Sequence, residues 1–130
     1  VRLRVRPLLD EHLSPTVAAQ LGRRQPTLLV TTVAHWERGA YLGAPAAVLL
    51  RAAAAAGLTL VTYDLRTIPL LLKSWAEAGA AHGGVIFIDA RTLKPDDVGG
   101  LVRALAQLVA KLGDLEWQDR AVYLTRLTRA

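Results

Sequence analysis

The chain has no cysteine and no methionine, and only seven of its 130 residues are aromatic. Without cysteine there are no disulfides, no zinc–thiolate sites and no thiol nucleophile. The three histidines, His12, His35 and His82, share no metal-ligand spacing. No apolar run approaches the ~18 residues of a membrane span; the alanine tract 52–56 sits inside a helical pattern. No signal peptide is expected either, since Arg2, Arg4 and Arg6 are followed by no apolar stretch with a small-residue cleavage site. These absences lead us to expect a soluble, cytoplasmic protein with no membrane partner.

What is present is a chain the length of one domain, 52% apolar, with a net charge of +5. We expect a single domain over residues 1–130. The excess of arginine favours a polyanionic partner, because phosphate backbones release counterions when guanidinium groups bind them. Arg23, Arg24, Arg38, Arg66 and Arg91 are the residues to seek beside a functional site.

Hydrophobic patterning alternates between strands and helices. Leu3 to Leu9 reads as a strand, with Val1, Leu3 and Val5 alternating against the three arginines, and Ser14-Pro15 as an N-cap and first helical position of a helix to about Leu21, stopped by Gly22. Thr27 to Val33 is β-branched and apolar, suiting a second strand; His35 to Tyr41 reads as a loop. Pro45 to Ala56 is helical with Gly57 as its C-cap, followed by a strand from Leu58 to Tyr63. A helix over 68–78 with Thr67 as N-cap, a strand over 85–88, a helix over 95–112 and an edge strand over 120–127 complete the pattern. Strands alternating with helices predict an α/β fold, a three-layer α/β/α sandwich around a mainly parallel sheet.

Asp10, Asp64 and Asp89 each end an apolar strand, and Glu11 follows the first of them. In a parallel α/β sheet the carboxyl ends of neighbouring strands open into one crevice, where such folds bind ligands. Like charges gathered there are stabilised by a cation or used in chemistry, and oxygen-only ligands suit Mg²⁺ or Mn²⁺. The expected metal ligands are Asp10, Asp64 and Asp89, and the expected catalytic group is Asp10, Asp64, Glu11 and Thr62, whose hydroxyl would orient the Asp64 carboxylate or a metal-bound water. The competing reading is that each aspartate caps the helix or turn after it. His12 is either a phosphate contact or a solvent-facing turn residue, Glu37 either joins the cluster or is a solvated loop charge, and Trp36, Trp75 and Trp117 read as core or interface residues. Substituting Asp10→Asn is expected to abolish activity and leave the fold intact or stabilised.

Two segments, Leu8-Leu9-Asp10-Glu11-His12-Leu13 and Leu60-Val61-Thr62-Tyr63-Asp64, resemble the opening and the third strand of PIN-like nuclease domains, with His12 where the family has asparagine. The resemblance covers residues 7–90. It implies a small α/β/α sandwich, Mg²⁺- or Mn²⁺-dependent cleavage of single-stranded RNA with Asp10 and Asp64 as ligands, and often a toxin role beside an antitoxin protein. There is one departure. The family places a further acidic residue where the helix before the third strand begins, and here that stretch reads Gly43-Ala44-Pro45-Ala46-Ala47-Val48. Either Glu11, Glu37 or Asp89 replaces the missing ligand, or the chain keeps the fold and binds RNA or a protein partner without catalysis. A homodimer through apolar helix faces near Trp75 is a further expectation. Phosphoacceptor receiver domains share the acidic pair, the aspartate after strand three and a Lys-Pro (Asp10-Glu11, Asp64, Lys94-Pro95). They need two strands between the aspartate and the lysine, however, and only one lies here.

Overall fold

The computed structural model describes residues 2–126. Five strands form one sheet: β1 (Pro7–Leu9), β2 (Thr31–Thr32), β3 (Thr59–Thr62), β4 (Val85–Ile88) and β5 (Ala121–Leu124), in the order β2-β1-β3-β4-β5. Every pairing is parallel. The helices are α1 (Pro15–Arg24), α2 (Ala46–Ala55), α3 (Ile68–Glu77) and α4 (Val98–Leu112), with a short 3₁₀ segment at Trp36–Gly39.

Side-chain alternation along the strands divides the core into two layers. Leu9, Val61, Ile86 and Ile88 pack with Val17 and Leu21 of α1 and with Leu101, Leu105 and Val109 of α4. Leu8, Leu60, Val85 and Phe87 turn to the other face and meet Leu50 and Ala53 of α2 and Ile68 of α3. The result is the expected three-layer sandwich, its central strands β3 and β4 buried on both faces. Trp117 lies in the first core cluster; Trp36 and Trp75 pack against the second. No described helix is long and apolar enough to cross a membrane.

Several elements differ from their sequence-based bounds for definite reasons. The first strand is shorter than Leu3–Leu9 because Arg4 and Val5 donate their amides to the Gly113 carbonyl instead of joining a ladder. The second shrinks to Thr31–Thr32, its edge bonding ending where Val33 N–H reaches Leu9 O. Helix α1 runs through Gly22 to Arg24, since a glycine with ordinary helical φ weakens a helix without stopping it. Asp97, not Pro95, starts α4: its carboxylate accepts from Gly100 N–H at 2.9 Å. The expected edge strand holds only over 121–124, and Leu127 lies outside the described residues.

Candidate functional site

The strand order reverses between β1 and β3: from β1 the chain goes first to β2 on one side, then across to β3 on the other. In doubly wound sheets such a reversal leaves a crevice at the carboxyl ends of the two strands, which is the usual ligand position. Register places Leu9 opposite Val61, so Asp10 and the Thr62–Asp64 segment leave the sheet side by side.

Asp10 is 8% exposed and tied to β3 twice: its amide donates to Val61 O at 3.0 Å, and its Oδ2 accepts from Tyr63 N–H at 3.1 Å. Its Oδ1 accepts from His12 N–H at 2.9 Å. The carboxylate therefore brackets the end of β3 while turning the chain into the loop before α1. Tyr63 is braced in turn. Its hydroxyl donates to Leu93 O at 2.8 Å, and burial, followed by the charge of Asp10, pushes its pKa up to about 12.

Asp64 Oδ1 accepts from Arg66 N–H at 3.1 Å and from Thr67 N–H at 2.7 Å, closing the turn that leads into α3. The Thr67 side chain, expected to cap, makes no cap hydrogen bond. Asp64 Oδ2 has no hydrogen-bond partner among the described residues. Thr62 Oγ1 accepts from Asp64 N–H at 3.0 Å, so this buried hydroxyl positions the Asp64 backbone rather than its carboxylate.

The third strand-end aspartate is differently engaged. Asp89 accepts from Arg91 N–H at 2.9 Å and holds the Arg91 guanidinium through both oxygens, the closest contact being 2.8 Å. That guanidinium keeps its carboxyl below the usual carboxylate range. Glu11 accepts from Gly43 N–H, which binds the loop before α2 down over the crevice. Asp10, Asp64 and Asp89 thus each accept from the amide two residues onward, the turn that the capping reading anticipated.

Around the crevice, His12 is exposed beside Asp10, with Nδ1 3.8 Å from Oδ1. Past β2, Thr32 Oγ1 and His35 Nδ1 lie 2.8 Å apart, and Glu37 and Arg38 adopt left-handed φ values of 50° and 56°. Two successive non-glycine residues in that region are uncommon, and this segment is stapled by the stacking of Trp36 on Tyr41 at 4.9 Å. Sequence reasoning missed both the His35 contact and this left-handed turn; Gly39, which follows at φ 79°, was the sole local signal. Of the arginines sought here, Arg66 gives its amide to Asp64 and Arg91 is paired with Asp89, whereas Arg23 and Arg24 line a cleft elsewhere.

No group of three or more His, Cys, Asp or Glu side chains converges at metal-binding distances among the described residues. Two carboxylates remain, Asp10 and Asp64. A carboxylate oxygen that accepts one amide keeps a second lone pair, and Mg²⁺ is commonly held by one or two carboxylates plus waters and substrate phosphates. The donor set therefore fits a hard divalent ion whose shell is completed by substrate, and does not fit a closed all-protein cage. Comparison with protein-family models, curated proteins and solved structures finds no match to this chain.

Proposed function

We propose that this chain is a PIN-like, metal-dependent ribonuclease acting on single-stranded RNA, with Asp10 and Asp64 as the residues that hold Mg²⁺ or Mn²⁺. The observation that carries this reading is the pair itself: two aspartates at the β1–β3 reversal, one buried and fixed by three backbone hydrogen bonds, the other with a free oxygen. Bound there, the ion would supply an acidified water and neutralise charge on the phosphodiester. The chain's own residues do the positioning. His12 N–H and Tyr63 N–H set the plane of the Asp10 carboxylate; Thr62 and the Asp64 amide set the strand end from which Asp64 projects. The resemblance to PIN-like domains further suggests a toxin role beside an antitoxin protein.

The test is Mn²⁺ calorimetry together with cleavage of a dye-quencher single-stranded RNA, on the wild type and on Asp64→Asn. Asparagine keeps an acceptor oxygen for the turn amides of Arg66 and Thr67, so the variant removes a ligand without removing the fold. Metal binding and cleavage present in the wild type and lost in the variant support the reading. Cleavage that persists in Asp64→Asn overturns it.

A second reading, a catalytically silent PIN-like module that binds RNA or a protein partner, is favoured by two observations. Asp89 is occupied by Arg91, and α2 opens on Ala46-Ala47 with no acidic residue in its first turn. Absence of Mn²⁺ binding at millimolar metal, with binding gained in Ala46→Asp, would select this reading.

A further inference from the structure

Helices α1 and α4 pack side by side on one face of the sheet, and between them lies a cleft of about 390 Å³ lined by Gln20, Arg23, Arg24, Gly99, Val102 and Arg103. Its floor is buried Val102. Three of its six lining residues are arginines, and no carboxylate belongs to its wall. Arg23 and Arg24 form the last turn of α1, while Arg103 arrives from α4. A Cβ built on Gly99 would lie 3.2 Å from Arg103 Nη1, so the guanidinium lies over the bare backbone of that glycine, one helical turn back.

Four other arginines are engaged by protein, while the side chains of Arg2, Arg38, Arg51 and Arg66 make no ion pair or hydrogen bond among the described residues. The cleft is therefore set apart by gathering three arginines and not by leaving them unpaired. Arg4 meets Glu116, Arg91 meets Asp89, Arg6 reaches Ala56 O and Arg120 reaches Glu116 O. Arg23, Arg24 and Arg103 have no ion pair or hydrogen bond among the described residues. The nearest acidic residues in sequence, Asp96 and Asp97, lie at the head of α4, where Asp97 is engaged by Gly100 N–H. A guanidinium stays charged at any physiological pH, so three exposed ones lining one cleft present a concentrated positive charge to a dissolved anion. The helix-end position of Arg23 and Arg24 accounts for their local placement through the helix dipole, but not for the convergence of Arg103 on the same cleft.

We infer that this cleft is a binding site for a phosphoryl group, Arg23, Arg24 and Arg103 supplying the guanidinium forks that match its oxygens. The cleft has more than ten times the roughly 30 Å³ that one liquid water takes up, which leaves space for the group that carries the phosphate. The phosphoryl group belongs either to a nucleic-acid backbone or to a small phosphorylated molecule. The assignment stands apart from the carboxylate crevice and does not depend on catalysis there.

Binding is measured for the full chain with two probes, a fluorescein-labelled 20-nucleotide oligo-uridine by anisotropy across a salt series, and pyrophosphate by calorimetry. The variant is Arg23→Gln with Arg24→Gln and Arg103→Gln. A charge-matched control carries Arg51→Gln, Lys73→Gln and Lys111→Gln, all exposed and outside the cleft. For a nucleic-acid ligand the cleft variant should bind oligo-uridine at least tenfold more weakly than the control, with a salt slope shallower by about 2, from roughly 0.7 for each of three phosphates. For a small-molecule ligand, pyrophosphate binding should vanish in the cleft variant and survive in the control, with oligo-uridine unaffected. Equal losses in both variants for both probes overturn the inference, as does polyglutamate binding the cleft as tightly as oligo-uridine, which would make it a site for an acidic protein.

Discussion

Each end of the sheet buries an ionisable side chain to the same degree, and the two are treated differently. Asp10 at the carboxyl end and His82 at the amino end are both 8% exposed. His82 Nδ1 accepts from Gly84 N–H at 3.0 Å, its own amide donates to Asp119 Oδ1 at 3.0 Å, and its carbonyl accepts from Asp119 N–H at 2.9 Å. Thr59 Oγ1 closes the arrangement on Gly83 O at 2.7 Å. Glycines let the backbones approach this closely: a Cβ on Gly83 would strike the Leu58 carbonyl, and one on Gly84, at φ 98°, would come within 2.6 Å of Trp117 O. At the amino end the partners are protein groups, and a cleft of about 250 Å³ lined by Thr59, His82, Gly83, Glu116 and Trp117 lies beside them. At the carboxyl end Asp10 is fixed just as firmly, yet beside it Asp64 keeps an oxygen without a protein partner. A fold uses buried polar groups for rigidity at both ends; the end at the strand-order reversal is the one where two aspartates stand on neighbouring strand ends.

The largest expected effect breaks the amino end. Gly84→Ala forces a side chain against Trp117 O at a backbone angle that L-residues rarely adopt, and should destabilise by about 3 kcal/mol or more in chemical denaturation. Mn²⁺ affinity of the folded fraction should stay unchanged. A coupled loss of metal binding would mean that the two ends are not independent.

Next in size is a contrast within the carboxyl end. Asp10→Asn should cost about 1–3 kcal/mol, because an amide side chain offers one acceptor oxygen where His12 N–H and Tyr63 N–H now use two. This revises the expectation, drawn from charge repulsion alone, that the substitution leaves the fold intact or stabilised. Asp64→Asn should lie within about 0.5 kcal/mol of the wild type, since only one oxygen is engaged and an asparagine oxygen accepts the same two turn amides. Equal destabilisation by the two would erase the distinction between a carboxylate held for structure and one left open for a ligand.

A smaller effect follows pH. Burial pushes the His82 pKa below its ordinary 6.5, the nearby Asp119 carboxylate opposing only in part. Between that lowered value and 6.5 the unfolded chain binds more protons than the folded one, so stability is complete above 6.5 and falls as pH drops below it. Thermal denaturation from pH 7.5 to 5 should show this decline, and His82→Gln should flatten it. A decline of equal slope in the variant would assign it to other groups.

Much of the fold was readable because β3 and β4 are buried on both faces, so Leu60-Val61 and Val85 to Ile88 stand out as unbroken apolar runs. The same signal overextended β1, since Leu3 and Val5 are apolar yet pair their backbone with Gly113 rather than with a strand. Asp10 and Asp64 were found because local pattern marks strand ends. Asp64 meets only the nearby Arg66 and Thr67 amides, whereas Asp10 and Glu11 reach partners far off in sequence, Tyr63 and Gly43, which no local pattern carries. The arginine cleft escaped for the same reason: Arg23 and Arg103 are 80 positions apart (103 − 23) and meet only through helix packing.

The smallest expected effect concerns Asp89, expected from its position after β4 to be a metal ligand and paired by geometry with Arg91. If the ion pair governs, Asp89→Asn leaves Mn²⁺ affinity where it was, because the wild-type carboxylate is already committed to a guanidinium. Arg91→Gln then discriminates further. An exposed pair contributes little to stability, so the fold should be indifferent to the change while the Asp89 carboxylate is freed. Unchanged metal affinity in both variants confines the carboxyl-end site to Asp10 and Asp64. A rise in affinity in Arg91→Gln that disappears when Asp89→Asn is added would make Asp89 a third ligand held in reserve by its arginine, and would extend the contrast between the two ends of the sheet from β1 and β3 to β4.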